Sequence, residues 1–68
     1  MKNKVEQFRR EMGLTQEQLA RMLRVSRQTV WAVETGKYTP SLDLAFAMSL
    51  IFRRPIEEIF FPERSENQ

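Results

Sequence analysis

Only three residues, Arg24, Val25 and Ser26, separate two short segments that each carry a helix-start signal and an apolar stripe, and this spacing constrains the fold more than any other feature of the chain. In the first segment Thr15 and Gln18 have capping-box spacing, and Leu19, Ala20 and Leu23 line one face of a helix over 16–23. In the second, Ser26 is the cap, Val30 and Val33 point inward, and the helix ends near Gly36. A connection this short makes the two helices meet at a steep angle.

Three further helices are expected around this pair. Asn3 and Glu6 have the spacing of N-cap and N3, and Val5, Phe8 and Met12 then recur on one face until Gly13 ends the helix. Ser41 caps a fourth helix, with Asp43 near the positive end of its dipole. Along 42–52 that helix is apolar nearly all round, and so small a subunit cannot hide every face of it. Pro55 suits the first turn of a last helix that carries Glu57 and Glu58 near its start and the apolar Ile56, Ile59, Phe60 and Phe61. The expected fold class is all-α: five helices with a helix-turn-helix at the second and third, one domain over 1–62, and a polar tail over 63–68.

Composition narrows the chemistry. With no cysteine and no histidine, disulfides, Cys/His zinc sites, thiol nucleophiles and imidazole catalysis are excluded, so no catalytic residue, metal or cofactor is expected. Chemistry would fall to carboxylates, but Glu57 and Glu58 are neighbours on a helix start rather than groups converging on a cleft. The sequence carries no apolar run long enough to cross a membrane and no leader pattern, and the lack of cysteine is compatible with a reducing cytoplasm. A small-molecule ligand is not expected of so short a chain. At 68 residues it buries roughly 60% of its unfolded surface, which leaves little stability to spare without a partner subunit.

Charge is unevenly distributed although the net value is only +2. Residues 1–37 carry eight basic side chains (Lys2, Lys4, Arg9, Arg10, Arg21, Arg24, Arg27, Lys37) against four acids, and residues 38–68 carry three against five. A molecule with a positive end is suited to a polyanion, although charges scattered on solvated faces produce such an asymmetry as well.

A capped helix, a tight turn and a second capped helix with a polar start is the layout that lays one helix across a DNA backbone and the next in the major groove. Base read-out needs side chains matched to base edges: Arg suits guanine O6 and N7, and Gln suits adenine N6 and N7. Arg27 and Gln28 are those types, at the first two positions of the third helix. The plainer alternative is two polar residues on a solvated helix start.

Taken together, Gly13-Leu14-Thr15-Gln16, Leu19-Ala20, Val25-Ser26-Arg27-Gln28-Thr29-Val30, Glu34-Thr35-Gly36-Lys37-Tyr38, Pro40-Ser41-Leu42 and Ile56-Glu57-Glu58-Ile59-Phe60 resemble the lambda-repressor-like, Xre-type helix-turn-helix family over approximately residues 4–62. The match is to short stand-alone members that bind DNA as homodimers. The resemblance implies a transcriptional regulator, most simply a repressor, that reads a near-palindromic operator in the prokaryotic cytoplasm on the nucleoid. It implies base contacts from Arg27, Gln28, Trp31 and Ala32, and phosphate contacts from Thr15, Gln16, Arg24, Ser26, Thr29, Lys37 and Tyr38. Arg9 and Glu34 match a structural ion pair between the first and third helices. The apolar surplus of Phe46, Leu50, Ile56, Ile59, Phe60 and Phe61 is where a second copy would dock. The surplus of Phe46, Leu50, Ile51, Phe60 and Phe61 supports the alternative of an interaction module, such as an antitoxin-like partner-binding protein of this fold.

The chain departs from the family pattern at three places. Arg24 stands where the turn often has glycine, and a non-glycine residue there at positive φ costs about 1 kcal/mol. Arg53-Arg54 stand where glycine often joins the last two helices. Trp31 replaces a small polar residue, and its indole either meets thymine methyl groups in a groove or packs on the neighbouring surface.

Overall fold

A computed structural model describes residues 1–62, and the tail expected over 63–68 lies outside the described residues. The elements run β1 (Lys2–Asn3), α1 (Val5–Glu11), α2 (Gln16–Leu23), α3 (Arg27–Glu34), α4 (Leu42–Phe52), α5 (Ile56–Ile59) and β2 (Phe60–Phe61). The five helices expected from the sequence are present, and a small sheet is added to them.

Local chemistry explains where most elements begin. The Thr15 hydroxyl accepts from Gln18 N at 3.0 Å while the Gln18 side chain accepts from Thr15 N at 2.8 Å, which completes a capping box at the start of α2. Ser26 and Ser41 cap α3 and α4 by accepting from Thr29 N and Leu44 N. Each such cap stabilises its helix by about 1 kcal/mol.

The start of α1 corrects the sequence reading. Lys4, not Asn3, occupies the N-cap position, and Asn3 belongs to β1. Glu6 is turned to Arg10, one helical turn on, at 2.9 Å. Asn3 still satisfies one exposed helix-start donor, because its Oδ1 accepts from Val5 N at 3.0 Å. Met12 lies just past the helix and is exposed, so the α1 stripe consists of Val5 and Phe8.

Phe60 and Phe61 also leave the expected helix. Ile59 is the last residue of α5, and β2 pairs antiparallel with β1, Lys2 opposite Phe61 and Asn3 opposite Phe60. Pro55 precedes α5 with an extended backbone, which suits a residue that has no N–H to donate. Two-residue strands have no periodicity to detect, and Phe60 continued the apolar pattern of a helix.

One cluster forms the core: Val5 and Phe8 from α1, Leu19, Ala20 and Leu23 from α2, Val30 and Val33 from α3, Ala45, Met48 and Phe52 from α4, then Ile59 and Phe60. Phe8 and Phe52 meet with ring centroids 5.8 Å apart, and the Arg54 guanidinium caps the Phe8 ring at 4.3 Å. Because α2 and α3 both lay their stripes on this cluster, the opposite edge of α3 is held facing solvent.

Candidate nucleic-acid interface

The turn between α2 and α3 is made by a strained residue. Arg24 takes φ 61° and ψ 42°, the left-handed conformation that glycine adopts without a steric penalty. The Val25 N–H then reaches back to Ala20 O at 3.0 Å and closes the end of α2. Arg53 does the same after α4, at φ 57°. Both positions are those where glycine is the commoner choice, and both arginine side chains project into solvent.

At the other end of the helix pair lies a largely buried polar network. Arg9 Nε donates to Glu34 Oε2 at 2.6 Å and Arg9 Nη2 to Glu34 Oε1 at 3.3 Å, with side chains only 9% and 4% exposed. The third arm of the guanidinium donates to Leu14 O at 2.8 Å, which fixes the chain between α1 and α2. Gln16 Nε2 donates to Glu34 Oε1 at 2.9 Å, and Arg27 Nη1 donates to Gln16 Oε1 at 3.3 Å. A continuous path of hydrogen bonds therefore runs from Arg9 in α1 to Arg27 at the exposed start of α3. Among the described residues no buried side-chain nitrogen or oxygen lacks a partner.

The outward edge of α3 presents Arg27, Gln28 and Trp31 to solvent, with Thr29 and Ala32 half-buried on either side. Trp31 is 44% exposed. Arg27, Gln28 and Trp31 line a shallow open recess of about 290 Å³. Thr15, Arg24 and Ser26 are exposed around the start of this edge, and Lys37 and Tyr38 at its far end. There the backbone turns over the helix end, with Lys37 N and Tyr38 N both donating to Ala32 O at 2.9 and 3.2 Å. Of the thirteen expected polar or edge positions, Arg9, Gln16 and Glu34 are joined to one another by hydrogen bonds, and the other ten are exposed or half-buried.

Asn3 was not recognised as a site residue from sequence. Its Nδ2 donates to Val33 O at 2.7 Å and to Met1 O at 3.1 Å, so β1 grips the last turn of α3. Gly36 sits beneath this contact at φ 80°, and a Cβ there would lie 3.3 Å from Met1 O. Glycine suits that position on both counts, since a side chain there would be strained and would crowd Met1 O.

The apolar residues assigned to a contact between copies divide into two groups. Ile59 and Phe60 are buried in the subunit's own core, so the docking role expected of them is corrected: their surface is already covered. Phe46 (53% exposed) and Leu50 (79%) are open, and Leu42 (67%), which sequence reasoning passed over, extends them into a stripe at four-residue spacing along α4. Ile56 shares with Phe46 a recess of about 440 Å³. Phe61 is half-buried with the Lys4 ammonium 5.6 Å from its ring centroid.

Two capped helices crossing at a left-handed turn, with a polar edge on the second, define a helix-turn-helix protein. Residues 5–59 match the family described as Helix-turn-helix, and the chain belongs to that family, in its Xre-like branch with the lambda-repressor-like fold. It is 53% identical over 66 residues to an uncharacterized HTH-type transcriptional regulator of Methanocaldococcus jannaschii, covering 97% of this chain and 100% of that protein. A regulator of the same description from Bacillus subtilis is 44% identical over 63 residues, covering 93% of this chain and 96% of its own. One from Archaeoglobus fulgidus is 39% identical over 66 residues, with 97% and 93% covered. Among the described residues no helix is long and apolar enough to cross a membrane.

Proposed function

We propose that this chain is a sequence-specific double-stranded DNA-binding transcriptional regulator that acts as a homodimer on a near-palindromic operator. The observation that carries the reading is the outward edge of α3, where Arg27, Gln28 and Trp31 stand exposed on a helix whose other face is locked into the core. Arg27 and Gln28 supply donors and acceptors for base edges. Thr15, Arg24, Ser26, Thr29, Lys37 and Tyr38, exposed or half-buried on the segments that flank that edge, supply contacts to the sugar-phosphate backbone, and Gln16 keeps one amide hydrogen for a phosphate after donating the other to Glu34. Ala32 completes the base-facing edge.

Two copies related by a two-fold axis would set their α3 helices in successive major grooves about 34 Å apart. The Leu42, Phe46 and Leu50 stripe together with Ile56 supplies an apolar surface for that pairing. Binding then represses by occupying the promoter, with no chemistry on the DNA and no cofactor. The place of action is the prokaryotic cytoplasm, on the nucleoid.

Selection of binding sites from a random duplex pool tests the reading. Enrichment of a two-fold-symmetric site supports it, and failure to enrich any sequence overturns it. The same exposed stripe favours a second reading, an antitoxin-like module that regulates through a different protein. Equilibrium mass measurement separates the two, because a stable homodimer accounts for the stripe whereas a sticky monomer points to a missing partner.

A further inference from the structure

Trp31 is the one large apolar side chain on the polar edge of α3, and it stands beside Arg27 and Gln28 around a single recess of about 290 Å³. Residues three and four apart on a helix share a face, so any base edge that Arg27 and Gln28 approach is also approached by the indole. Pressing the apolar face of an indole, whose single N–H lies on the ring edge, against the amino and carbonyl groups of base edges would strip them of water without replacing their hydrogen bonds. The major groove offers one apolar group that avoids this penalty, the C5-methyl of a pyrimidine, which in ordinary DNA is thymine.

Resting on the DNA-binding reading above, we infer that Trp31 is a specificity-determining residue that selects thymine through its methyl group, close to the guanine read by Arg27. The separation follows from geometry. Four residues of α-helix rise about 6 Å, and stacked bases on one strand are about 3.4 Å apart. The methyl therefore lies within about two base pairs of the guanine. The recess between the guanidinium, the amide and the indole is the receptacle, and it has an apolar wall on one side and polar walls on the others. Sensitivity to the methyl group itself is something neither Arg27 nor Gln28 can supply, because both pair with purine edges.

The test uses the wild-type chain and duplexes chosen from a random-sequence pool, in which each thymine of the half-site is exchanged in turn for uracil. Uracil keeps every hydrogen-bonding group and lacks only the methyl. Binding is expected to weaken about fourfold at one thymine position within two base pairs of the guanine, the change that corresponds to ~0.8 kcal/mol for one buried methyl-sized group. Trp31→Ala, whose fold is checked by circular dichroism, is expected to bind the thymine and uracil duplexes alike. Equal wild-type binding to all the uracil duplexes overturns the inference while leaving the DNA reading intact, as does a Trp31→Ala chain that still prefers thymine at that position. Failure to select any duplex overturns both.

Discussion

Gln16 and Glu34 are joined by a 2.9 Å hydrogen bond that ties the first residue of α2 to the last residue of α3. The same carboxylate holds Arg9, and the same amide accepts from Arg27. The angle between the two helices is thus set at one end by the Arg24 turn and at the other by a shared carboxylate. Arg27 is in turn oriented before any ligand arrives, which lowers the ordering cost of binding.

Removing Glu34 should expose how much depends on it. Glu34→Ala leaves the Arg9 guanidinium buried without a counter-charge and is expected to lower stability by about 3–5 kcal/mol in urea unfolding. Replacing Arg9 by Met in the same chain should recover a large part of that loss. A Glu34→Ala cost below about 1 kcal/mol would mean that the pair behaves like an exposed one.

Arg24 is expected to give effects of opposite sign on folding and on binding. Arg24→Gly relieves the left-handed backbone and, after the added freedom of the unfolded chain is counted, should stabilise by about 0.5–1 kcal/mol. If Arg24 meets a phosphate, the same variant should bind DNA more weakly and reduce the salt-dependence slope by about one. A slope equal to that of the unmodified chain would remove Arg24 from the interface.

At Arg27 the prediction concerns selectivity. Arg27→Ala should cost about 1–3 kcal/mol at the selected site and clearly less on random duplex, measured by titration at one fixed salt concentration. An equal loss on both would assign Arg27 to the backbone rather than to a base.

Leu50 offers a test of the pairing surface that leaves the fold alone. Its side chain is 79% exposed, so Leu50→Glu should change urea unfolding of the subunit by about 0.5 kcal/mol or less while shifting the mass seen in sedimentation from dimer to monomer. An unshifted dimer would place the interface elsewhere.

Much of this architecture is legible in the sequence because local signals agree with one another. Thr15 with Gln18, and Ser26 and Ser41 as caps, announce three helices, and the stripes of Leu19, Ala20, Leu23, Val30 and Val33 point them inward. The family follows from the same residues. What the sequence does not reveal is decided by contacts remote along the chain. Asn3 offers a cap-like spacing, yet its side chain reaches Val33 O as well as Val5 N, a choice that only pairing with Phe60 brings about. Ile59 and Phe60 look as sticky as Phe46 and Leu50, and only packing separates buried from exposed. Trp31 could be assigned to either of two environments from sequence, and its place beside Arg27 and Gln28 is a fact of three dimensions.

The pairing of Lys2–Asn3 with Phe60–Phe61 also bears on the order of assembly. Contacts within the α2 and α3 pair are local and close quickly, whereas this strand pair joins opposite ends of the described span and is entropically the last to be won. Pulse-labelled hydrogen exchange during refolding should therefore find the amides of β1 and β2 protected after those of α2, so that the last turn of α3 is clasped only after the helix pair itself has closed.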